Sequence, residues 1–78
     1  MTKVVVTVMP KQGVLDPQGQ AVQGALAQLG FAGVEEVRIG KRIELELAGA
    51  DPGAQARAMC ETLLANALIE DYRVEVAG

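Results

Sequence analysis

Hydrophobic and polar residues alternate along residues 34–47, and this period of two predicts a β-hairpin. In the first half Val and Ile alternate with Glu and Arg, and in the second half Ile and Leu alternate with Glu. Residues that face each other in an antiparallel pair lie on the same side of the sheet, so Ile39 is matched with Ile43. This register leaves residues 40–42 as the loop, in which Gly40 is expected to adopt unusual backbone angles.

An apolar strand at the start of the chain and an alternating strand at its end complete the pattern. Residues 3–9 are apolar and mostly β-branched on both faces, which predicts a strand with neighbours on both sides. Residues 71–76 alternate, as a half-buried strand does. With a helix in each half, the order is that of the ferredoxin-like βαββαβ fold of the α+β class. We therefore predict one domain, residues 1–78, whose four-stranded antiparallel sheet carries both helices on one face and has strands 3–9 and 43–47 in its centre.

Both predicted helices begin at an Asp-Pro pair, with Asp16 and Asp51 as the N-caps. An Asp carboxylate accepts hydrogen bonds from the free N–H groups of the first turn, and Pro suits the first helical position. Gly30 is expected to end the first helix in a left-handed conformation. Gly19 and Gly24 lie inside this helix, where each glycine costs about 1 kcal/mol relative to Ala. We expect Gly24 to pack closely against the sheet and Gly19 to leave the helix N-terminus open to a partner.

The sheet face opposite the helices is expected to be covered by the sheet of a second copy of the chain. Depending on the register, this face carries one of two sets of residues: Val5, Thr7 and Met9, or Val4, Val6 and Val8. Neither set is typical of an open surface. A chain of 78 residues with only two aromatic side chains is also near the lower size limit for a self-sufficient core. We therefore predict a homodimer or a dimer of dimers.

Charge and cysteine usage narrow the range of partners and compartments. The formal net charge is −3 and the basic residues are dispersed, whereas nucleic acids and anionic membranes are bound by clustered Lys and Arg. We therefore expect neither nucleic acid nor a membrane as a partner. Cys60 is the only cysteine, no apolar run approaches the ~20 residues of a membrane span, and the first residues show no signal-peptide pattern. These features favour a cytoplasmic protein.

The residue types offer little for catalysis. The chain has no histidine, which removes the usual base of Ser and Cys nucleophiles and the commonest metal ligand. Cys60 lies on the apolar stripe of the second predicted helix and is interpreted as a core residue. Glu44 and Glu46 share one face of a strand and are interpreted as solvent-exposed, with contact to a partner's cations as the alternative. We expect no cofactor and no metal, and we do not expect the chain to be an enzyme on its own.

Four short motifs stand at characteristic spacings along the chain. They are Asp16-Pro17-Gln18-Gly19, Gly40-Lys41 followed by Ile43-Glu44-Leu45, Leu63-Leu64-Ala65-Asn66, and Ile69-Glu70-Asp71-Tyr72. The first motif alone is a weak signal, because Asp-Pro is simply a good helix start. The combination spans nearly the whole chain and resembles the PurS family, the small subunit of phosphoribosylformylglycinamidine (FGAM) synthase in purine biosynthesis.

The resemblance implies a non-catalytic subunit, typically dimeric, that bridges a large FGAM synthetase subunit and a glutaminase subunit. The synthetase amidates formylglycinamide ribonucleotide with ATP, and the small subunit supports the transfer of ammonia to it. Our candidates for partner contacts are motif positions that the fold does not obviously require: Gln18, Gly19, Arg38, Lys41, Asn66 and Asp71. Capping or turn geometry is the alternative explanation for each, and Asn66 is expected to be a left-handed helix cap.

Two functions of other classes are compatible with the residues. A stand-alone ferredoxin-like regulatory domain would bind a small effector, such as an amino acid, between protomers. A small enzyme would use Tyr72 and the carboxylates. Binding screens of the purified chain against metabolites test the first alternative, and turnover by the purified chain tests the second.

Overall fold

The computed structural model describes residues 1–77, which form one antiparallel sheet and two helices. The elements are β1 (Thr2–Pro10), α1 (Pro17–Gln28), β2 (Lys41–Leu47), α2 (Pro52–Met59) with a π-helical turn at Cys60–Leu64, and β3 (Glu70–Val76). The strand order is β2-β1-β3, so the first strand is central, as predicted. Residues 43–47, which were also predicted to be central, lie in the edge strand β2. Neither helix within residues 1–77 is long and apolar enough to cross a membrane.

The core lies between the sheet and α2. Val4, Val6 and Val8 point to this face of β1 and are fully buried together with Ala56 and Cys60. The alternating residues of β2 and β3 add partly buried side chains around them: Ile43, Leu45, Leu47, Tyr72 and Val74. The prediction that Cys60 is a core residue is confirmed, and burying each of the three valines contributes roughly 1.5–3 kcal/mol.

The predicted hairpin and its fourth strand are wrong. Lys41 and Arg42, assigned to the loop, are the first residues of β2 and pair with β1. Residues 34–40 form no strand, because the backbone N–H of Ile39 donates to the carboxylate of Asp16 at 2.8 Å rather than to a neighbouring strand. The sheet of the described chain therefore has three strands and not the four of the ferredoxin-like plan.

Gly40 is required for a reason other than the one predicted. Its φ is not among the positive values found at Gly13, Gly30 and Gly49. A Cβ atom at Gly40 would lie 2.1 Å from the carbonyl oxygen of Val8, so glycine allows the chain to pass close to β1 before β2 begins. Gly30 has φ +99°, which confirms the predicted left-handed end of the first helix.

The first helix does not pack on the sheet beside α2. No residue of α1 belongs to the core or to the side chains packed against it, and Gly19 is its only buried residue. The molecule measures 50 × 25 × 14 Å with a radius of gyration of 15.8 Å, whereas a compact chain of this length has about 11.5 Å. The prediction that both helices lie on one sheet face is wrong, because α1 projects away from it.

The helix-free face of the sheet is charged. The register places Val5, Thr7 and Met9 there, and the flanking strands add Arg42, Glu44, Glu46, Asp71, Arg73 and Glu75. Ion pairs join Lys3 to Glu44 and Arg73 to Glu75, each at 3.0 Å. Val5 is only 8% exposed, because long charged side chains lie beside it. The face is therefore charged on its flanking strands and not apolar as expected, and its cover by the sheet of a second copy stays a prediction.

Candidate partner interface

One end of the sheet gathers most of the predicted partner-contact residues. Strand β1 ends at Pro10, opposite Glu70, and β2 begins at Lys41, opposite Val8, two residues before that end. We call this end the junction, and it comprises residues 10–16, residues 36–38 and the first residues of β2 and β3. Arg38, Lys41 and Asp71 lie at the junction, and Gln18 and Gly19 follow it directly in α1.

Asp16 holds the junction together. Its Oδ1 accepts a hydrogen bond from the backbone N of Gly19 at 2.9 Å, and its Oδ2 accepts one from the backbone N of Ile39 at 2.8 Å. These two hydrogen bonds hold the pKa of the Asp16 carboxyl below its ordinary value of 3.8. One carboxylate therefore caps α1 and also anchors the segment that returns from it.

Gly19 faces the interior of the junction and not a partner. A Cβ atom at this position would lie 2.2 Å from the carbonyl oxygen of Val37, so only glycine allows the return segment to lie against the first turn of α1. One turn further along, Gln23 Nε2 donates to the carbonyl oxygen of Glu35 at 2.9 Å. The prediction that Gly19 leaves the helix N-terminus open is wrong, whereas its neighbour Gln18 is exposed.

Two of the other predicted residues, Arg38 and Asp71, make polar contacts within the chain. The guanidinium of Arg38 donates to the carbonyl oxygen of Pro10, which ties the return segment to the end of β1. Asp71 pairs with the ammonium group of Lys11 at 2.7 Å. Both side chains of this pair remain partly exposed, at 40% for Lys11 and 68% for Asp71, so the pair is open to a neighbouring molecule. Lys41 is exposed as well.

Asn66 shapes a turn and is not a left-handed cap. No residue other than glycine within residues 1–77 has a positive φ. The side-chain oxygen of Asn66 accepts from the N–H of Leu68 at 3.1 Å, and its carbonyl oxygen accepts from Glu70 N at 2.7 Å. The prediction of a cap is therefore wrong, and turn geometry accounts for the Asn at this position.

A cavity of about 380 Å³ with a mixed polar and apolar lining lies at the junction. Its charged and amide-bearing lining residues are Lys11, Gln12, Asp16, Gln20, Gln23, Glu36 and Arg38. Groups of both charge signs line it, which suits a mixed polar surface better than a strongly charged ligand. Within residues 1–77 no group of three or more His, Cys, Asp or Glu side chains is placed to hold a metal ion.

An apolar groove of about 500 Å³ is a second candidate surface, and the sequence analysis missed it. It lies between β2 and the helical segment and is lined by Leu45, Gln55, Ala58, Met59, Thr62, Leu63 and Leu64. Leu63 is 83% exposed, although its place on the apolar stripe predicted burial. The available signal was the width of that stripe, which a helix as short as α2 and its π-helical turn cannot bury completely.

The side chains with reactive groups are engaged in structural contacts. Burial raises the pKa of the Cys60 thiol. The phenol of Tyr72 donates to Glu61 Oε1 at 2.5 Å, and this hydrogen bond to a carboxylate raises the pKa of Tyr72 above its ordinary value of 10.0. These contacts fix the π-helical turn to β3, and the Glu61 carboxylate stabilises the protonated phenol.

Comparison with known proteins identifies the family. Residues 3–78 match the model of the family described as PurS: Phosphoribosylformylglycinamidine (FGAM) synthase. The chain is 53% identical over 78 residues to the PurS subunit of Bacillus subtilis (strain 168), covering 97% of this chain and 93% of the relative. The C2 crystal form of B. subtilis PurS superposes with a TM-score of 0.92 and 50% identity over all of both chains. A chain in the structure of PurLQS from Thermotoga maritima superposes with a TM-score of 0.79 and 28% identity, covering 97% of this chain and 96% of that one.

The sequence motifs, the fold and the similarity over nearly the full length therefore agree. The resemblance indicated by the Asp-Pro-Gln-Gly and Ile-Glu-Asp-Tyr motifs is confirmed. The chain belongs to the PurS family of FGAM synthase.

Proposed function

We propose that this chain is the non-catalytic small subunit of an FGAM synthase complex in purine biosynthesis. The observation that carries the proposal is the match to PurS over residues 3–78. The similarity to a chain in the PurLQS structure supports a role within an assembly. In this role the chain bridges a large synthetase subunit and a glutaminase subunit and supports ammonia transfer for the ATP-dependent amidation of formylglycinamide ribonucleotide.

The junction is the proposed contact surface for these partners. Five predicted residues remain candidates: Gln18, Arg38, Lys41, Asn66 and Asp71. Gly19 is no longer a candidate, because Val37 covers it. The mixture of exposed charges of both signs favours a protein surface with matching charges, since such complementarity fixes the register of two partners. We also propose that the chain acts as a homodimer or a dimer of dimers.

Reconstitution of the synthetase and glutaminase with this chain tests the proposal. We expect the chain to raise glutamine-dependent amidation strongly and to show no turnover of glutamine or ATP by itself. High ammonium in place of glutamine should bypass the missing chain in part, because ammonia then reaches the synthetase from solution. Equal glutamine-dependent rates with and without the chain would contradict the bridging role.

A matched pair of variants tests the position of the contact surface. Lys41→Glu reverses an exposed charge at the junction, whereas Arg73→Glu reverses one on the helix-free face of β3. We expect Lys41→Glu, and not Arg73→Glu, to weaken the affinity of the chain for the synthetase. The affinity is measured by adding increasing amounts of each variant and following the glutamine-dependent rate. Equal losses for both variants would mean that the junction is not the contact surface.

A further inference from the structure

The cavity at the junction is built by three parts of the chain that side-chain contacts hold together. They are the loop between β1 and α1, the first two turns of α1, and residues 36–38. Asp16 of the loop accepts from the backbone N of Ile39 at 2.8 Å, and Gln23 of α1 donates to the carbonyl oxygen of Glu35 at 2.9 Å. The cavity is therefore largely formed before a ligand arrives, as is usual for small-molecule sites.

The size and the apolar part of the lining suit a small ligand. The cavity holds about 380 Å³, near the low end of the ~300–1,000 Å³ of small-molecule sites. Pro10, Val14 and Leu15 supply apolar surface, and Leu15 is 68% exposed. Methylene groups of a ligand that lie against this surface leave water, which favours binding. The lining therefore suits a ligand with a short aliphatic part.

The charged groups of the lining balance one another. They are two cations, Lys11 and Arg38, and two carboxylates, Asp16 and Glu36. Both oxygens of Asp16 already accept backbone N–H groups, which leaves Glu36 as the acceptor for a ligand's cation. Arg38 Nε lies 4.0 Å from Glu36 Oε1, too far for a hydrogen bond. The ammonium group of Lys11 has three donors and gives one to Asp71. The cavity therefore offers a site for a carboxylate and a site for an ammonium group.

Amide groups supply the uncharged polar part of the lining. Gln12 and Gln20 line the cavity and are exposed, so each can donate to a ligand and accept from it. A further charge on the ligand would upset the balance of the lining, because charges bind where the opposite sign is in excess. An uncharged polar group instead finds amide donors and acceptors.

We propose that the junction cavity binds a free α-amino acid as its zwitterion, with an uncharged polar side chain. Its carboxylate is bound by Lys11 and Arg38 in charge-assisted hydrogen bonds, and its ammonium group by Glu36. The amides of Gln12 and Gln20 bind the polar end of its side chain. This site goes beyond the proposed subunit role, because the isolated chain contains every residue that forms it.

Titration of the isotope-labelled full chain with L-glutamine, followed by the NMR signals of its backbone N–H groups, tests the site. We expect saturable shifts at junction residues. Glutaramic acid lacks the α-ammonium group of glutamine, and γ-aminobutyramide lacks its carboxylate. Each analogue should bind about tenfold more weakly or worse, because it loses one contact between charged groups. Shifts that do not saturate, or equal binding of either analogue, would overturn the proposal.

Two variants with a matched control locate the site. Lys11→Gln and Glu36→Gln should each weaken L-glutamine binding about tenfold. Lys3→Gln is the control, because Lys3 is also partly exposed and paired with a carboxylate, but lies on the helix-free face. It should bind like the wild type, and circular dichroism checks that each variant folds. Wild-type affinity in both junction variants, or an equal loss in Lys3→Gln, would overturn the site. The reconstituted amidation rate tests the subunit role separately.

Discussion

The two helices of this chain start from the same local signal and end in different environments. Asp16 accepts from Gly19 N at 2.9 Å, and Asp51 accepts from Ala54 N at 3.1 Å. In each helix a Pro follows the capping Asp. Yet α2 buries Ala56 in the core, whereas α1 projects from the sheet.

The two helices differ because a distant segment of the chain contacts the capping residue of α1 but not that of α2. The second carboxylate oxygen of Asp16 accepts from Ile39, which lies 23 residues away in sequence, and Asp51 has no such contact within the described residues. The third residue after each Asp differs accordingly. Ala54 is exposed, but Gly19 lies against the Val37 carbonyl. A capping signal therefore sets where a helix begins, and the segment that docks on its first turn sets where it points.

Gly19→Ala should have the largest effect on stability. The added Cβ would meet the Val37 carbonyl oxygen at 2.2 Å, and backbone cannot rotate away as a side chain does. We expect a loss of about 2–3 kcal/mol in the free energy of unfolding, as for overpacked cores. Urea unfolding at one fixed chain concentration measures it, because association changes apparent stability.

Gly53→Ala is the matched control in the first turn of α2. A Cβ there would lie 3.6 Å from Arg57 Nη1 and from Val76 Cγ2, which is ordinary contact. Because Ala is favoured over Gly in a helix, we expect this variant to be as stable as the wild type or more stable by up to about 1 kcal/mol. Equal stability of the two alanine variants would show that the return segment does not lie against Gly19.

Removing the two capping carboxylates should lower the free energy of unfolding by different amounts. Asp51→Ala removes one hydrogen bond to the first turn and should cost about 1 kcal/mol. Asp16→Ala leaves two backbone N–H groups without their acceptor, so the loss should be larger. The same unfolding measurement compares them. If the two losses are equal, the Ile39 contact contributes nothing and the direction of α1 has another cause.

The contact of Asp16 with two backbone N–H groups should also make the stability of the protein depend on pH in acid. The pKa of Asp16 is lowered by the N–H groups of Gly19 and Ile39, so the stability it supplies is complete above its ordinary pKa of 3.8 and is lost as the pH falls through the lower folded value. Asp16→Asn should therefore unfold with a shallower pH dependence than the wild type below pH 3.8. An unchanged acid profile would mean that Asp16 titrates normally.

Local patterns in the sequence predicted the parts of the fold that depend on local geometry. The central position of β1 follows from its apolar faces, the β3 strand from its alternation, and the start of α1 from Asp16. The burial of Cys60 follows from the helical spacing of the apolar residues around it. Each of these features depends on neighbours in sequence or on a simple period, which is why residue patterns reveal them.

The features that sequence reasoning missed depend on contacts between distant residues. Val37 and Ile39 alternate as strand residues do, but the N–H of Ile39 bonds to Asp16, and no local signal records that partner. The groove was hidden because Leu63 fits the apolar stripe while its burial requires a neighbouring surface.

Gly24→Ala should stabilise α1, in contrast to Gly19→Ala. Gly24 is exposed, and an added Cβ would have no atom within 4 Å, so the close packing against the sheet that the sequence predicted is wrong. Alanine should therefore stabilise α1 by about 0.5–1 kcal/mol. Gly30→Ala is the control at the end of the same helix and should destabilise, because φ is +99° there. A loss of stability in Gly24→Ala, measured by urea unfolding at one fixed chain concentration, would show that the added methyl group meets a neighbouring group.

The smallest expected effect concerns how the end of α2 is fixed to the sheet. Tyr72 donates to Glu61 Oε1 at 2.5 Å, and this contact raises the pKa of the phenol above 10.0. Glu61→Gln should lower that pKa towards its ordinary value, because a neutral amide no longer favours the protonated phenol. Tyr72 is the only tyrosine and there is no tryptophan, so tyrosinate absorbance reports this one group. Glu75→Gln on the helix-free face should leave the titration unchanged. A group whose pKa is raised in the folded state supplies stability that is lost as the pH rises through that pKa. The wild type should therefore lose more stability than Glu61→Gln above pH 10. Identical titration curves for the two proteins would show that this hydrogen bond does not hold the π-helical turn.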